Sequence, residues 1–188
     1  MQPLELIDKY YAGHDQARSI LLAHSRLVAR LALRVAERVG QSEPVDKDFI
    51  EQAALLHDIG MLFTNSPRLG CHGNRPYIAH GVIGAEILRK EGLPRHASVC
   101  ERHIGVGLSI ADIKAQELPV PLRDMRPQTL EERIVAYADL FYSKTRKGMR
   151  TAEMVRTSLA RYGQEKVRIF DEWHKGFEPQ PWPQPDNA

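Results

Sequence analysis

Apolar residues recur at three- and four-residue intervals along most of this chain, and no segment keeps the two-residue alternation of a half-buried strand. The clearest stretch is Asp15 to Val39. Ile20, Leu27, Leu31 and Val35 form one stripe, Val28 and Ala32 widen it, and Gly40 ends it. A shorter helix is expected over Pro3 to Tyr10, with proline in the tolerated first turn. Another begins at Val45-Asp46, carries Phe49, Ile50, Ala53, Ala54 and His57 at helical spacing, and closes at Gly60. Residues 61–76 have no periodicity and read as a loop. Ile78 to Lys90 and Arg95 to Ile104 predict two helices separated by Gly92-Leu93-Pro94. Ser109 caps a short helix to Glu117, with Asp112 three residues on. After Pro119, Pro121 and Pro127, Thr129 opens a helix to Lys147 with Glu132 completing a capping box. A last helix is expected from about Thr151 to Lys175, with Trp173 and Trp182 docking the C-terminal end. The prediction is an all-α fold, one helical-bundle domain over residues 1–175, followed by a Pro-rich tail over 176–188 that frays.

Composition narrows the class. A chain of 188 residues can bury a real core, and 43% hydrophobic with 27% charged residues argues against both disorder and a membrane span. The net charge of +2 gives no ground for a nucleic-acid partner. Cys71 and Cys100 form neither a framework nor a CxxC pair, which suits a reduced compartment; both read as small buried fillers. Met1 to Tyr11 holds no apolar signal core, so a cytoplasmic location is expected.

Several polar groups sit where apolar ones are expected. His57-Asp58 closes an apolar run. His24 follows Ile20 by four and precedes Leu27 and Leu31 by three and seven, so it faces inward. Asp139 follows Val135 by four on the apolar side of its helix. His80 opens a helix beside Gly81 and Gly84, whose lack of side chains lets a backbone or ligand approach closely. His103 ends the helix containing Val99 and Cys100, before Gly105-Val106-Gly107. A single buried histidine is ordinarily a hydrogen-bonded core residue. Four imidazoles and two carboxylates buried together lose too much hydration unless something binds them, and a metal centre explains the set.

The order His24, then His57-Asp58, then Asp139 resembles the HD-domain metal-dependent phosphohydrolase superfamily, and Leu56-His57-Asp58-Ile59-Gly60 is similar to its HDIG subgroup. The segments around His80 and His103 resemble those that supply further histidines in dinuclear members, and Ile134 to Asp139 resembles the helix bearing the terminal Asp. The resemblance spans about residues 20–145 and implies an HD-type helical bundle that hydrolyses phosphate esters. Two departures stand out. Met61 follows Gly60 where many relatives have Lys, and the HHExxxGxGYP signature of the cyclic-di-GMP phosphodiesterases is missing after His103.

The ligand types suit divalent Fe, Mn, Co or Zn. Six protein ligands exceed what one catalytic ion with an open position accepts, so two ions about 3.5–4 Å apart are expected. Asp58 would bridge them and serve as the catalytic carboxylate, with His24, His57 and Asp139 on one ion and His80 and His103 on the other. Arg75, Arg102, Lys144 and Arg146 are the candidate substrate-binding phosphate clamps. His14, His72, His96 and His174 read as surface or loop histidines. The implied substrate is a small phosphorylated compound, a nucleotide or something like one. A diadenosine tetraphosphate-type hydrolase, a di-iron oxygenase of the same superfamily and a regulatory module without turnover are the alternatives.

Overall fold

The inward stripe of residues 15–39 lies on the longest helix among the described residues and contributes to both large apolar clusters. A computed structural model, which describes residues 2–146 and 148–178, contains α1 (Pro3–Tyr10), α2 (Asp15–Val39), α3 (Lys47–Leu56), α4 (His80–Lys90), α5 (Pro94–Arg102), α6 (Ile110–Ala115), α7 (Leu130–Asp139), α8 (Ala152–Ala160) and α9 (Gln164–Phe177). The fold is all-α. Its one small sheet among the described residues pairs Asn65–Ser66 with Cys71–His72, inside the stretch read from sequence as a loop.

Among the described residues two large apolar clusters make up most of the interior, with a small third around Val82, Ile113 and Met125. One joins α2, α3, α7, α8 and α9 around Val28, Leu31, Val35, Ile50, Tyr137, Phe141 and Phe170. The other joins α1, the start of α2, α4 and α5 around Leu6, Ile7, Tyr11, Leu21, Leu56, Ile59 and Cys100. Cys71 and Cys100 are both buried and free, as their reading as small fillers requires. No helix among the described residues is long and apolar enough to cross a membrane.

Several boundaries depart from the pattern for identifiable reasons. α3 stops at Leu56 and a 3-10 turn over Ile59–Phe63 follows, so His57-Asp58 is a corner and not a helical turn. In an α-helix adjacent side chains diverge by about 100°; leaving the helix at Asp58 lets both aim at one point. Tyr11, fully buried, holds that corner by donating to the Ile59 carbonyl (3.1 Å) and accepting from the Leu62 N–H (3.3 Å).

α7 ends at Asp139, well before the expected Lys147, which itself lies outside the described residues. Arg150 terminates it from a distance: its backbone N–H reaches the Phe141 carbonyl (2.8 Å) and its Nη1 the Leu140 carbonyl (3.2 Å). The expected box at the start of α7 is only half made. Thr129 accepts from the Glu132 N–H, but Glu132 turns to the Gln128 N–H (2.6 Å) and to Arg102. The long final helix is two helices, α8 and α9, broken at Gly163 with φ +114°, a conformation that excludes other residues. Trp173 packs against the first cluster, whereas Trp182 and most of the expected tail lie outside the described residues.

Candidate metal centre

The site lies where the two clusters meet, and each helix delivers its group for a local reason. His24 rides the buried stripe of α2, and His57-Asp58 is the corner after α3. His80 starts α4, His103 follows the last turn of α5, and Asp139 ends α7. The four imidazoles and Asp58 are buried; the Asp139 carboxylate, 18% exposed, marks the accessible side.

Asp58 divides its oxygens between two sets of imidazoles. Oδ2 is 3.2 Å from His24 Nε2 and 3.0 Å from His57 Nε2, while Oδ1 is 3.2 Å from His80 Nε2 and 3.6 Å from His103 Nε2. Asp139 Oδ1 closes the first set at 2.9 Å from His24 Nε2 and 3.5 Å from His57 Nε2. The result is two groups sharing one residue: His24, His57, Asp58 and Asp139, and Asp58, His80 and His103.

The chemistry of the donors fits a metal. His57, His80 and His103 each direct Nδ1 at a backbone carbonyl three residues earlier, of Ala54 (2.7 Å), Tyr77 (2.6 Å) and Cys100 (2.7 Å). A carbonyl only accepts, so Nδ1 carries a proton and each ring turns its Nε2 inward, where a neutral imidazole presents a lone pair. Those lone pairs face carboxylate oxygens and, in His80 and His103, each other across 3.1 Å. Lone pairs at such distances repel unless a cation stands among them. His24 Nε2, His57 Nε2, Asp58 Oδ1 and Asp139 Oδ1 are buried without a hydrogen-bond partner, while Asp58 Oδ2 faces the Lys144 ammonium at 2.6 Å. A carbonyl-anchored histidine whose free nitrogen points inward is the usual outer-shell arrangement of a metal ligand.

Three glycines let the elements close in. A Cβ on Gly60 would stand 2.2 Å from the His80 carbonyl oxygen and 2.3 Å from the Gly84 nitrogen. A Cβ on Gly81 would meet the Cys100 carbonyl oxygen at 2.7 Å, and one on Gly84 the Cys100 Sγ at 2.3 Å. The close approach expected from Gly81 and Gly84 is therefore seen, and Cys100 adds an S–H bond to the His57 carbonyl (2.8 Å).

An HD domain matches residues 21–143, which hold all six of these side chains. The chain belongs to the HD domain family. Among relatives of this HD protein, a tRNA (cytidine(56)-2'-O)-methyltransferase of Picrophilus torridus is 35% identical over 133 residues, 70% of this chain and 34% of that protein. One of the same name from Thermoplasma volcanium is 36% identical over 141 residues, 74% of this chain and 35% of that protein. The chain thus spans about a third of the length of those two. An uncharacterized protein of Methanocaldococcus jannaschii is 42% identical over 119 residues, covering 63% of this chain and 61% of its own. Among solved structures, the HD domain of the L. monocytogenes phosphodiesterase PgpH superposes with a TM-score of 0.56 at 22% identity, over 91% of this chain and 87% of that one. The same domain in complex with cyclic-di-AMP gives 0.54 at 19%, over 89% and 92%. At these identities the likeness shows the shared fold.

The candidate clamps fall in different places. Lys144 enters the HD cluster: its Nζ is 2.6 Å from Asp58 Oδ2 and 5.8 Å from the Tyr77 ring centroid. Arg102 is held by Glu132, with Nη1 at 2.8 and 3.1 Å from its two oxygens. Arg75 and Arg146 are exposed. Sequence reasoning missed Tyr77, which stacks on His80 at 4.6 Å and lies three residues before it. That spacing was the available signal. His96 and His174 are half-buried and not surface residues; His174 Nδ1 pairs with the Tyr137 hydroxyl (2.7 Å) and His96 packs edge-on to Phe49. His14 and His72 are exposed.

Electrostatics in the metal-free protein follow from this packing. Burial alone would raise the carboxyl of Asp58, but His57 and Lys144 outweigh it and hold it well below the usual range. Asp139 is likewise held low, against its burial, by His24 and His57. Burial would depress His57, yet Asp58 and Asp139 lift it to about 10, whereas burial drives His103 down to about 4. The His57 proton therefore stabilises the metal-free fold fully below about pH 6.5, and that contribution is lost as pH rises through about 10. Binding a divalent ion must displace that proton. Loading Mn at pH 7 is expected to release about one proton per chain, read by titration calorimetry in buffers of differing ionisation enthalpy. Buffer-independent heats would contradict the His57 assignment.

Proposed function

We propose that the chain is a metal-dependent phosphohydrolase of the HDIG type that hydrolyses a small phosphate ester, a nucleotide or nucleotide-like compound, with two divalent ions. The observation that carries this reading is the division of Asp58 between two imidazole sets. His24, His57 and Asp139 would hold one ion, His80 and His103 the other, and Asp58 both. Bound divalent ions supply a water ionised near neutral pH and polarise the phosphoryl oxygens.

The protein's own groups set the rest. Asp58, kept ionised by its neighbours, would hold both ions and so act on the attacking water through the metals that acidify it. Lys144 stays charged beside it, because Asp58 and Asp139 raise its pKa against the cost of burial, and offers an ammonium to a phosphate oxygen on the open side. Tyr77 remains a protonated phenol, raised first by burial and then by the Asp58 charge, while its ring fixes that of His80. Two divalent ions, two carboxylates and a hydroxide would leave roughly one net positive charge, which suits an oxyanion.

The PgpH neighbour bound to cyclic-di-AMP supports a nucleotide as substrate. A methyl transfer has no need of two buried carboxylates ringed by imidazoles, and the match covers only about a third of the two methyltransferase relatives. A panel of nucleoside monophosphates, dinucleoside polyphosphates and simple phosphomonoesters, assayed with Mn and with EDTA, tests the proposal. Metal-dependent phosphate release from at least one member is expected. Silence across the panel together with iron-dependent dioxygen uptake would replace it with an oxygenase.

A further inference from the structure

The two ligand groups are not alike. The first offers four residues and both carboxylates, whereas the second has three and shares its carboxylate with the first. The second therefore has less charge with which to hold an ion, and more depends on how well its imidazoles are set in advance.

His80 and His103 are set differently. Both direct Nδ1 at a carbonyl three residues earlier, but the rings beside His103 are those of His57 and His80, themselves ligands. His80 is gripped from outside the cluster, and its local sequence explains why. Pro76, extended at φ −63° and ψ 148°, leads into a 3-10 turn over Tyr77–Ala79, and α4 starts at His80. Side chains three apart eclipse in such a turn. The Tyr77 ring accordingly lies over the His80 imidazole, with centroids 4.6 Å apart and planes 28° from parallel. The Tyr77 carbonyl accepts from the His80 backbone N–H and from its Nδ1 (2.6 Å). One residue thus holds the imidazole by edge and by face, and its own ring packs on the cluster around Leu6, Leu21 and Cys100. What remains, Nε2, is aimed at Asp58 Oδ1 (3.2 Å) and His103 Nε2 (3.1 Å).

We propose that Tyr77 is a positioning residue for the second ion: its ring presets the His80 imidazole so that Asp58, His80 and His103 can take up that ion, which Tyr77 does not touch. The inference rests on the two-ion reading of the site. Lys144 Nζ also lies near this ring, 5.8 Å from its centroid. A variant that keeps the ring and removes the hydroxyl therefore belongs beside one that removes the ring.

The test is a titration of the metal-free full chain with Mn(II), followed by electron paramagnetic resonance. The method counts free ions and shows an exchange-coupled signal only when two bound ions are neighbours. The unaltered protein is expected to bind two, the first more tightly. Tyr77→Leu should leave the first within about twofold and weaken the second about tenfold, the low end of what losing an outer-shell contact costs, because the carbonyl bond survives. Tyr77→Met, whose flexible side chain fills the gap differently, should show the same selective loss. Tyr77→Phe, which keeps the ring, should hold the second ion to within about twofold of the unaltered protein. A second ion bound as tightly without the ring, a loss shared by both ions or by the fold in the Leu and Met variants, or a deficit that Tyr77→Phe does not restore would overturn the proposal. One ion only in the unaltered protein would defeat the two-ion reading itself, and the inference with it.

Discussion

Replacing Asp58 by alanine is expected to remove bound metal and turnover together while leaving the helices in place. Asp58 is the one side chain common to both ligand groups, so its loss leaves neither with a complete set. The first keeps His24, His57 and Asp139; the second keeps two imidazoles and no anion. Metal content should fall to about zero, and hydrolysis by about a thousandfold or more, because both nucleophile generation and charge stabilisation depend on the ions. Far-UV circular dichroism should change little, since no backbone hydrogen bond of the corner uses the Asp58 side chain; Met61 N–H bonds its main-chain oxygen (2.9 Å). Elemental analysis and a phosphate-release assay on the same preparation check this. An Asp58→Ala protein that keeps its metal, or works without it, would remove Asp58 from the centre.

The second large effect comes from a residue that has no side chain of its own. Gly60→Ala should destabilise the fold by about 3 kcal/mol and lower the thermal midpoint by about 6–12 °C. Gly60 is not among the positive-φ residues, so alanine can adopt its backbone conformation. The cost is steric. The new Cβ would stand 2.2 and 2.3 Å from main-chain atoms of His80 and Gly84, and main chain cannot rotate away as a long side chain can. α4 must therefore move outward, carrying His80 from Asp58, so the variant should also bind metal less completely. Calorimetric unfolding and metal content together separate this from a merely local strain. A Gly60→Ala protein with an unchanged midpoint would show that α4 does not press on the corner as described.

Most of the candidate site was legible because its residue types conflict with their positions. An imidazole on the stripe of Ile20, Leu27 and Leu31, or a carboxylate four residues after Val135, is expensive to bury and so stands out. Gly81 and Gly84 likewise announced a close approach, and Cys100 is what approaches. What stayed hidden depends on contacts between residues far apart in the chain. Nothing near Asp139 resembles a helix stop; the pattern runs on through Tyr142, and α7 ends because Arg150 takes the carbonyls of Leu140 and Phe141. Lys144 could therefore not be placed beside Asp58 from spacing alone. Arg102 looked free for phosphate because its partner, Glu132, comes thirty residues later, within an apparent capping box. His174 looked like a surface residue because Tyr137, which bonds it, belongs to a different helix. Gly163 is the exception: the break between α8 and α9 falls on a glycine within an otherwise continuous helical pattern.

The central claim is that four histidines and two aspartates hold a pair of metal ions astride Asp58. Anomalous diffraction from crystals of the Mn-loaded protein, recorded at the manganese edge, tests it most directly. Two peaks are expected, one beside Asp58 Oδ2 with His24, His57 and Asp139, the other beside Oδ1 with His80 and His103. A single peak would leave His80 and His103 without their assigned role, and no peak at Asp58 would contradict the metal centre itself.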